Sequence, residues 1–238
     1  MSKDFVIRCL IKQTPIGINI IMKKIILCIL IMFCFISPSI SQETDNNDQI
    51  KLLYQRIVET SLKVVAIYGQ GVESGFCSGV ILENTDKGAV VLTAKHCLGV
   101  VNEIYADNSE IIDAKLSFKY DLALVYTNKK IENKSAIVVS KQDEEYQKIV
   151  YLIGYPKLVQ FISAGYTLVR THNNQFAKLD IQHGCSGGGV FNENGELIGI
   201  ATMGVFNDDK KDVASLTIFE PIKNVRDFLS TINYKVDN

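Results

Sequence analysis

The apolar residues of the chain fall into many short runs that are separated by polar turn residues. Four runs rich in valine, isoleucine and aromatic residues come first along the chain: LKVVAIYG, FCSGVIL, GAVVLTA and DLALVYT. Five more follow: KIVYLIGY, AGYTLVR, QFAKLDI, GGVF and LIGIATM. Runs of this length and composition are typical of β-strands, and the segments ENTDKG and NENG are typical of the turns of hairpins.

Two segments have the period of a helix instead. In IKLLYQRIVETS, three apolar residues recur at helical spacing: Ile50, Leu53 and Ile57. In EPIKNVRDFLSTI, Pro221 suits a first helical turn, and one apolar stripe follows: Ile222, Val225, Phe228, Leu229 and Ile232. Many short strands with a short helix before them and one helix after them predict an all-β barrel or sandwich rather than a parallel α/β sheet.

Residues 1–41 carry a different pattern. The segment MKKIILCILIMFCFISPSIS, residues 22–41, begins with two lysines, continues with an apolar run and ends in small residues. This order predicts a secretory signal peptide with cleavage after Ser41. Translation from Met1 or from Met22 stays open, and so does an uncleaved anchor. We therefore assign residues 1–41 to an upstream segment and signal peptide, residues 42–49 to a polar linker and residues 50–238 to one domain.

Composition narrows the function classes. The 238 residues are 47% hydrophobic and carry a formal net charge of -1, which suits a soluble domain and gives no sign of nucleic acid or of an anionic membrane surface as a partner. Three histidines without an HxxxH or CxxC pair predict neither a metal site nor a cofactor. Removal of the signal peptide leaves three cysteines, and outside the cytoplasm one disulfide and one remaining thiol are expected: Cys77, Cys97 and Cys185.

Three short motifs carry candidate chemistry. His96 ends an apolar strand in TAKHC, Asp121 opens a buried strand in YDLALVY, and Ser186 lies in the glycine-rich turn GCSGGGV. Taken singly, each has an ordinary structural explanation: a core histidine, a loop aspartate and a glycine-rich hairpin.

Together and in this order, the three motifs resemble those of the chymotrypsin-like (trypsin-like) serine peptidases, which read TAAHC, DIAL and GDSGGP or GNSGGP. The tight spacing and the segments LIGYP, SAGYTLV and SLTIFEPIKNVRDFL are similar to the compact bacterial DegP/HtrA-type domains, here without a PDZ module. The resemblance covers residues 62–229. It implies two packed antiparallel six-stranded β-barrels, the first over about residues 62–135 and the second over about 146–219, with a C-terminal α-helix over about 221–233.

The resemblance also implies roles for single residues. Ser186 would be the nucleophile, His96 the general base and Asp121 the group that orients the imidazole. The backbone N–H groups of Gly184 and Ser186 would form the oxyanion hole. Cys185 is one position too early to be the nucleophile, because the family places that residue third in GxSGG.

Cys77 and Cys97 match two cysteines that pair in the animal enzymes, so the resemblance implies a Cys77–Cys97 disulfide. The substrate pocket is less defined. Asp180 lies six residues before Ser186, where trypsin-like enzymes receive Lys or Arg, whereas the DegP-like register puts an aspartate outside the pocket; both alternatives stay open. One wall would consist of Thr202, Met203 and Gly204. His183 would line the mouth, and only a position within the pocket would allow an acidic preference.

The sequence therefore predicts an exported serine endopeptidase, secreted or periplasmic, that acts on polypeptides through an acyl-enzyme intermediate. No nucleic acid is expected as a partner, and no membrane after signal cleavage; an oligomer or a regulatory partner is left open. The alternative is a catalytically dormant or inactive trypsin-fold binding or sensor protein. An esterase of the α/β-hydrolase type is disfavoured because its catalytic residues occur in the opposite order along the chain.

Overall fold

The computed structural model describes residues 39–69, 75–99, 103–142, 147–171, 173–206 and 213–235, with side chains from residue 47 onward. The chain divides into two compact units, Met1–Leu52 and Leu53–Asn238. The predicted signal peptide and the segment before it lie outside the described residues, apart from residues 39–41. Among the described residues, no helix combines the length and the apolarity that a membrane span requires.

Helix α1 spans Ser39–Ser61 and is longer than the sequence pattern predicts. It includes residues 42–49, which we expected to be a linker, and residue 41, after which cleavage is predicted. The linker residues are polar, and residues 47–49 are exposed to solvent. A run of polar residues has no apolar periodicity, so the sequence pattern gave no sign of a helix there. Further along the helix, Leu53 and Ile57 pack against the hydrophobic core as predicted.

The first β-barrel consists of six antiparallel strands. These are β1 (Val64–Gly69), β2 (Phe76–Thr85), β3 (Gly88–Thr93), β4 (Ile104–Ala106), β5 (Ser109–Leu116) and β6 (Ala123–Thr127). The barrel closes in the order β1-β2-β3-β6-β5-β4.

The described residues after β6 form eight further strands. They are β7 (Ile149–Gly154), β8 (Phe161–Arg170), β9 (Gln175–Lys178), β10 (Ile181–Gln182), β11 (Gly189–Asn192), β12 (Leu197–Gly204), β13 (Val213–Ala214) and β14 (Thr217–Pro221). Six of them close a second antiparallel barrel in the order β11-β12-β14-β9-β8-β7, while β10 pairs with β13 in a separate two-stranded sheet. The two six-stranded barrels confirm the predicted fold class.

Helix α2 spans Ile222–Thr231 and begins directly after Pro221, which occupies its N-cap. Four residues of the predicted apolar stripe are buried in it: Ile222, Val225, Phe228 and Leu229. They belong to the largest hydrophobic cluster, which also holds side chains of both barrels, among them Leu92 from β3 and Phe191 from β11. Since full burial of one such side chain contributes about 1.5–3 kcal/mol, this shared core holds the two barrels and α2 together.

Candidate active site

His96 lies in a 3₁₀ turn, Lys95–Leu98, directly after β3 of the first barrel. None of the four residues of this turn is buried, so packing alone does not fix it. The Cys97 N–H donates to the Ala94 carbonyl at 3.1 Å and closes the turn. Cys97 also forms a disulfide with Cys77 of β2, as the family resemblance implies. Hydrogen bonds and one covalent bond therefore set the position of the imidazole.

Asp121 lies just before β6 and makes two contacts with His96. Its Oδ2 lies 2.6 Å from Nδ1 of the imidazole, and its Oδ1 accepts a hydrogen bond from the His96 backbone N–H at 3.0 Å. Partial burial raises the pKa of the carboxyl group, but the hydrogen bonds from the His96 side chain and backbone outweigh burial and hold this pKa below its ordinary value. The Asp121 carboxylate therefore orients the imidazole through Nδ1, and Nε2 is the ring nitrogen outside this contact.

Ser186 lies in a tight turn between β10 and β11. Of these two strands, β11 belongs to the second barrel. Gly184 and Gly187 have φ values of 99° and 81°, in the left-handed region that favours glycine. A Cβ atom at Gly187 would lie 2.1 Å from the Ser78 carbonyl oxygen, so no side chain fits there. The glycine-rich sequence is thus required by both the backbone conformation and the close approach of β2.

In this turn, the backbone N–H groups of Gly184 and Ser186 have no acceptor among the described residues. The carbonyl groups of the same two residues are held elsewhere, both by Ser78. Its hydroxyl donates to the Gly184 carbonyl at 2.8 Å, and its N–H donates to the Ser186 carbonyl at 2.7 Å. Two unpaired amide donors in one turn suit a developing negative charge, such as the oxyanion of a tetrahedral intermediate.

The turn of His96, next to the first barrel, lies in contact with the turn of Ser186, next to the second barrel. Sγ of Cys97, the residue after His96, lies 3.6 Å from the carbonyl oxygen of Ser186. The Ser186 hydroxyl donates to the Thr202 carbonyl at 3.3 Å. In the described part of the chain it makes no hydrogen bond to His96.

The comparison with protein families matches the model of the trypsin-like peptidase domain over residues 77–200, more than half of the chain. The chain belongs to the trypsin-like peptidase family. No curated protein sequence matches it. Among solved structures, the serine endoprotease from Yersinia pestis is similar with a TM-score of 0.63 and 24% identity, over 76% of this chain and 66% of that one. Rv3671c from M. tuberculosis H37Rv, solved as an inactive serine-to-alanine mutant, is similar with a TM-score of 0.59 and 16% identity, over 75% of this chain and 90% of that one. The chain spans just under two thirds of the length of the Yersinia protein, and identities this low support the shared fold alone.

Cys185 of this trypsin-like peptidase domain is a free cysteine beside Ser186 in the sequence. Its side chain is fully buried in the core of the second barrel. Burial raises the pKa of the thiol to about 11, and a backbone hydrogen bond offsets only part of this effect. Because the thiolate is the reactive form of cysteine, these surroundings disfavour Cys185 as a nucleophile.

The residues predicted to form the pocket lie around β10, the end of β12 and β13. Asp180 is exposed directly before β10, and its N–H donates to Ser163 Oγ at 2.9 Å. Thr202 is half-buried, and 59% of Met203 is exposed. A Cβ atom at Gly204 would lie 2.6 Å from the Ile181 side chain. Gly204 therefore packs closely against Ile181, the residue that follows Asp180.

Sequence reasoning missed three residues of the site. Ser78 holds the Ser186 turn through two hydrogen bonds and accepts a third from the Tyr155 N–H at 2.8 Å. The ring of Phe206 stacks on that of His183 with 4.6 Å between the ring centroids. Glu220 accepts a hydrogen bond from the Asp121 N–H. All three act through contacts between distant parts of the chain, for which a single sequence carries no local pattern.

Proposed function

We propose that the protein is an exported serine endopeptidase. Ser186 attacks the carbonyl carbon of a peptide bond while His96 accepts the hydroxyl proton, and Asp121 stabilises the imidazolium that forms. His96 then gives this proton to the leaving amine, and water hydrolyses the acyl-enzyme by the same steps. The N–H groups of Gly184 and Ser186 bind the oxyanion, and loss of one such donor typically raises the barrier by about 2.7–4 kcal/mol.

The observation that carries the proposal is the 2.6 Å contact between His96 Nδ1 and Asp121 Oδ2 beside the Ser186 turn. A serine hydroxyl is a weak nucleophile at neutral pH and needs an oriented base nearby. The unpaired amide donors of the turn support the same reaction. Polypeptides are the substrates that the family membership favours.

A covalent probe tests the proposal. A fluorophosphonate reacts only with an activated serine, which displaces fluoride from phosphorus and leaves one phosphonyl group on the enzyme. We expect one adduct on the protein, located on Ser186 by peptide mass mapping. Ser186→Ala should abolish the adduct, while Cys185→Ala, which removes the neighbouring side chain, should retain it. An adduct that survives Ser186→Ala would disprove the assignment of the nucleophile.

A second candidate function rests on the hydrogen bond from Ser186 Oγ to the Thr202 carbonyl. This contact favours a resting site in which the hydroxyl is turned away from His96, as in a dormant enzyme or a trypsin-fold binding protein. Catalytic hydrogen bonds often tighten only when substrate binds, so we place this candidate second. A folded wild-type protein that gives no adduct and cleaves no peptide in a library would favour it.

Export and substrate preference belong to the same proposal. The predicted signal peptide, residues 22–41, and the Cys77–Cys97 disulfide both suit a compartment outside the cytoplasm. An exported protein whose N-terminal residue is not Gln42 would contradict the predicted cleavage.

For the substrate pocket, Asp180 is the candidate for binding Lys or Arg side chains. Peptide-library cleavage that is unchanged in Asp180→Ala would remove it from the pocket.

A further inference from the structure

A buried carboxylate lies behind Asp121. Glu220 is the residue before last in β14, and only 5% of it is exposed. Both of its carboxylate oxygens accept hydrogen bonds: Oε1 from the Asp121 N–H at 2.9 Å, and Oε2 from Asn224 Nδ2 at 2.6 Å. Burying a carboxylate is unfavourable unless it is hydrogen-bonded, and here both oxygens have partners.

Asn224 fixes the direction of this carboxylate. It lies in the first turn of α2 and is 3% exposed. Besides its bond to Glu220, Nδ2 donates to the backbone carbonyl of Asn173 at 2.6 Å. One amide group is thus tied to the β8–β9 connection and to Glu220, so Oε1 is held facing the Asp121 N–H.

The contact between Glu220 and Asp121 joins the two barrels at the site. Asp121 belongs to the first barrel with His96, whereas Glu220 belongs to the second barrel with Ser186. Asp121 is held from two sides, since Glu220 binds its backbone N–H while both of its carboxylate oxygens contact His96. A shift of the Asp121 backbone would lengthen the 2.6 Å contact with the imidazole.

We propose that Glu220, oriented by Asn224, is a positioning residue that keeps Asp121 in place to orient His96. This inference rests on the proposed peptidase function. Glu220 is buried and acts through Asp121, so it does not contact substrate. It therefore affects the rate of the chemical step and leaves the binding of substrate or probe unchanged.

Saturation kinetics with the fluorophosphonate separate these two effects, because kinact reports the chemical step and KI reports binding. In Glu220→Leu the Asp121 N–H loses its acceptor. We expect kinact to fall roughly tenfold, equivalent to about 1.4 kcal/mol of transition-state stabilisation, with KI unchanged. In Glu220→Gln, Oε1 can still accept from the Asp121 N–H, but the new NH₂ group then faces Asn224 Nδ2, donor against donor. The value of kinact should therefore lie between those of wild type and Glu220→Leu. Rates are expressed per folded molecule.

Asp227→Asn is the matched control. Asp227 also ties α2 to the first barrel beside the site, because it accepts a hydrogen bond from the Tyr120 hydroxyl at 3.0 Å. Among the described residues, Asp227 makes no hydrogen bond to Asp121. We expect this variant to keep the wild-type kinact, even where its melting temperature falls. An equal loss of kinact in Asp227→Asn, or an unchanged kinact in Glu220→Leu, would overturn the proposal.

Two further measurements keep the proposal testable in every case. If Glu220→Leu does not fold, Glu220→Asp replaces it: the charge remains, but the shorter side chain cannot reach both Asp121 and Asn224, so the same fall in kinact is expected. If the wild-type protein is not labelled at all, the proposed function fails, and proton NMR decides the inference alone. The hydrogen-bonded Nδ1 proton of His96 should give a downfield resonance that is lost or displaced in the Glu220 variant. An unchanged resonance would overturn the positioning role.

Discussion

The Cys77–Cys97 disulfide should contribute a large share of the stability of the first barrel. The two cysteines are 20 residues apart, and the loop that they close contains β3 and the 3₁₀ turn of His96. Closing a loop of this length lowers the entropy of the unfolded chain enough to stabilise the fold by about 3 kcal/mol. For a domain of this size, removal of the disulfide should lower the melting temperature by roughly 6–12 °C.

Replacement of both cysteines, Cys77→Ala with Cys97→Ala, tests this value. Urea denaturation gives the free energy of unfolding, and calorimetry gives the melting temperature, each with and without reductant. Wild type should lose stability on reduction, whereas the double variant should be insensitive to reductant and resemble reduced wild type. A loss below about 1 kcal/mol would refute the loop-entropy argument, because disulfides typically stabilise by about 2–4 kcal/mol. Alkylation of Cys77 in the native, unreduced protein would refute the pairing itself.

Two further predictions concern the turn of the nucleophile. Gly187→Ala should destabilise the protein by about 2 kcal/mol or more, because the residue must adopt a positive φ and its Cβ would meet Ser78 and Thr93. The control is Gly75→Ala, whose Cβ would meet no described atom within 4 Å apart from its chain neighbours, and it should be close to neutral in the same urea titration. Cys185 should resist iodoacetamide at pH 8 in the native protein and react after denaturation, as peptide mapping can show, because its pKa is raised to about 11. The thiol titrates near pH 8.5 in the unfolded chain. The free energy of unfolding of wild type should therefore fall relative to that of Cys185→Ala as the pH rises from 8.5 toward 11. An equal pH dependence of the two proteins would contradict the burial argument.

Local patterns were sufficient for most of the fold. Each of the nine apolar runs contains a strand or part of one, and four of the five residues of the α2 stripe are buried as predicted. The pattern missed β5 because most of its residues, including Ile112, are exposed, so they do not alternate between apolar and polar. It also missed the pairing of β10 with β13, since each has two residues and is defined only by the other.

The candidate site was predictable to the extent that its residues lie in motifs. His96 and Asp121 are recognised because their motifs, together with that of Ser186, resemble those of a known family, and the structure brings them into contact. Their catalytic roles and that of Ser186 stay predictions. Ser78 and Glu220 were not predictable, because the hydrogen bonds that give them a function join residues about a hundred positions apart.

The two barrels repeat one topology. The first barrel closes in the order β1-β2-β3-β6-β5-β4, and the second closes in the order β7-β8-β9-β14-β12-β11. If the six strands of each barrel are numbered along the chain, both barrels close in the order 1-2-3-6-5-4. His96 lies between the third and fourth strands of its barrel, and Ser186 lies at the equivalent place in the other. Half of the site is therefore encoded on each side of the connection that follows β6. Two polypeptides separated within that connection would each carry an incomplete site, which makes the chain suited to fragment complementation, with fluorophosphonate labelling restored only when the halves reassociate.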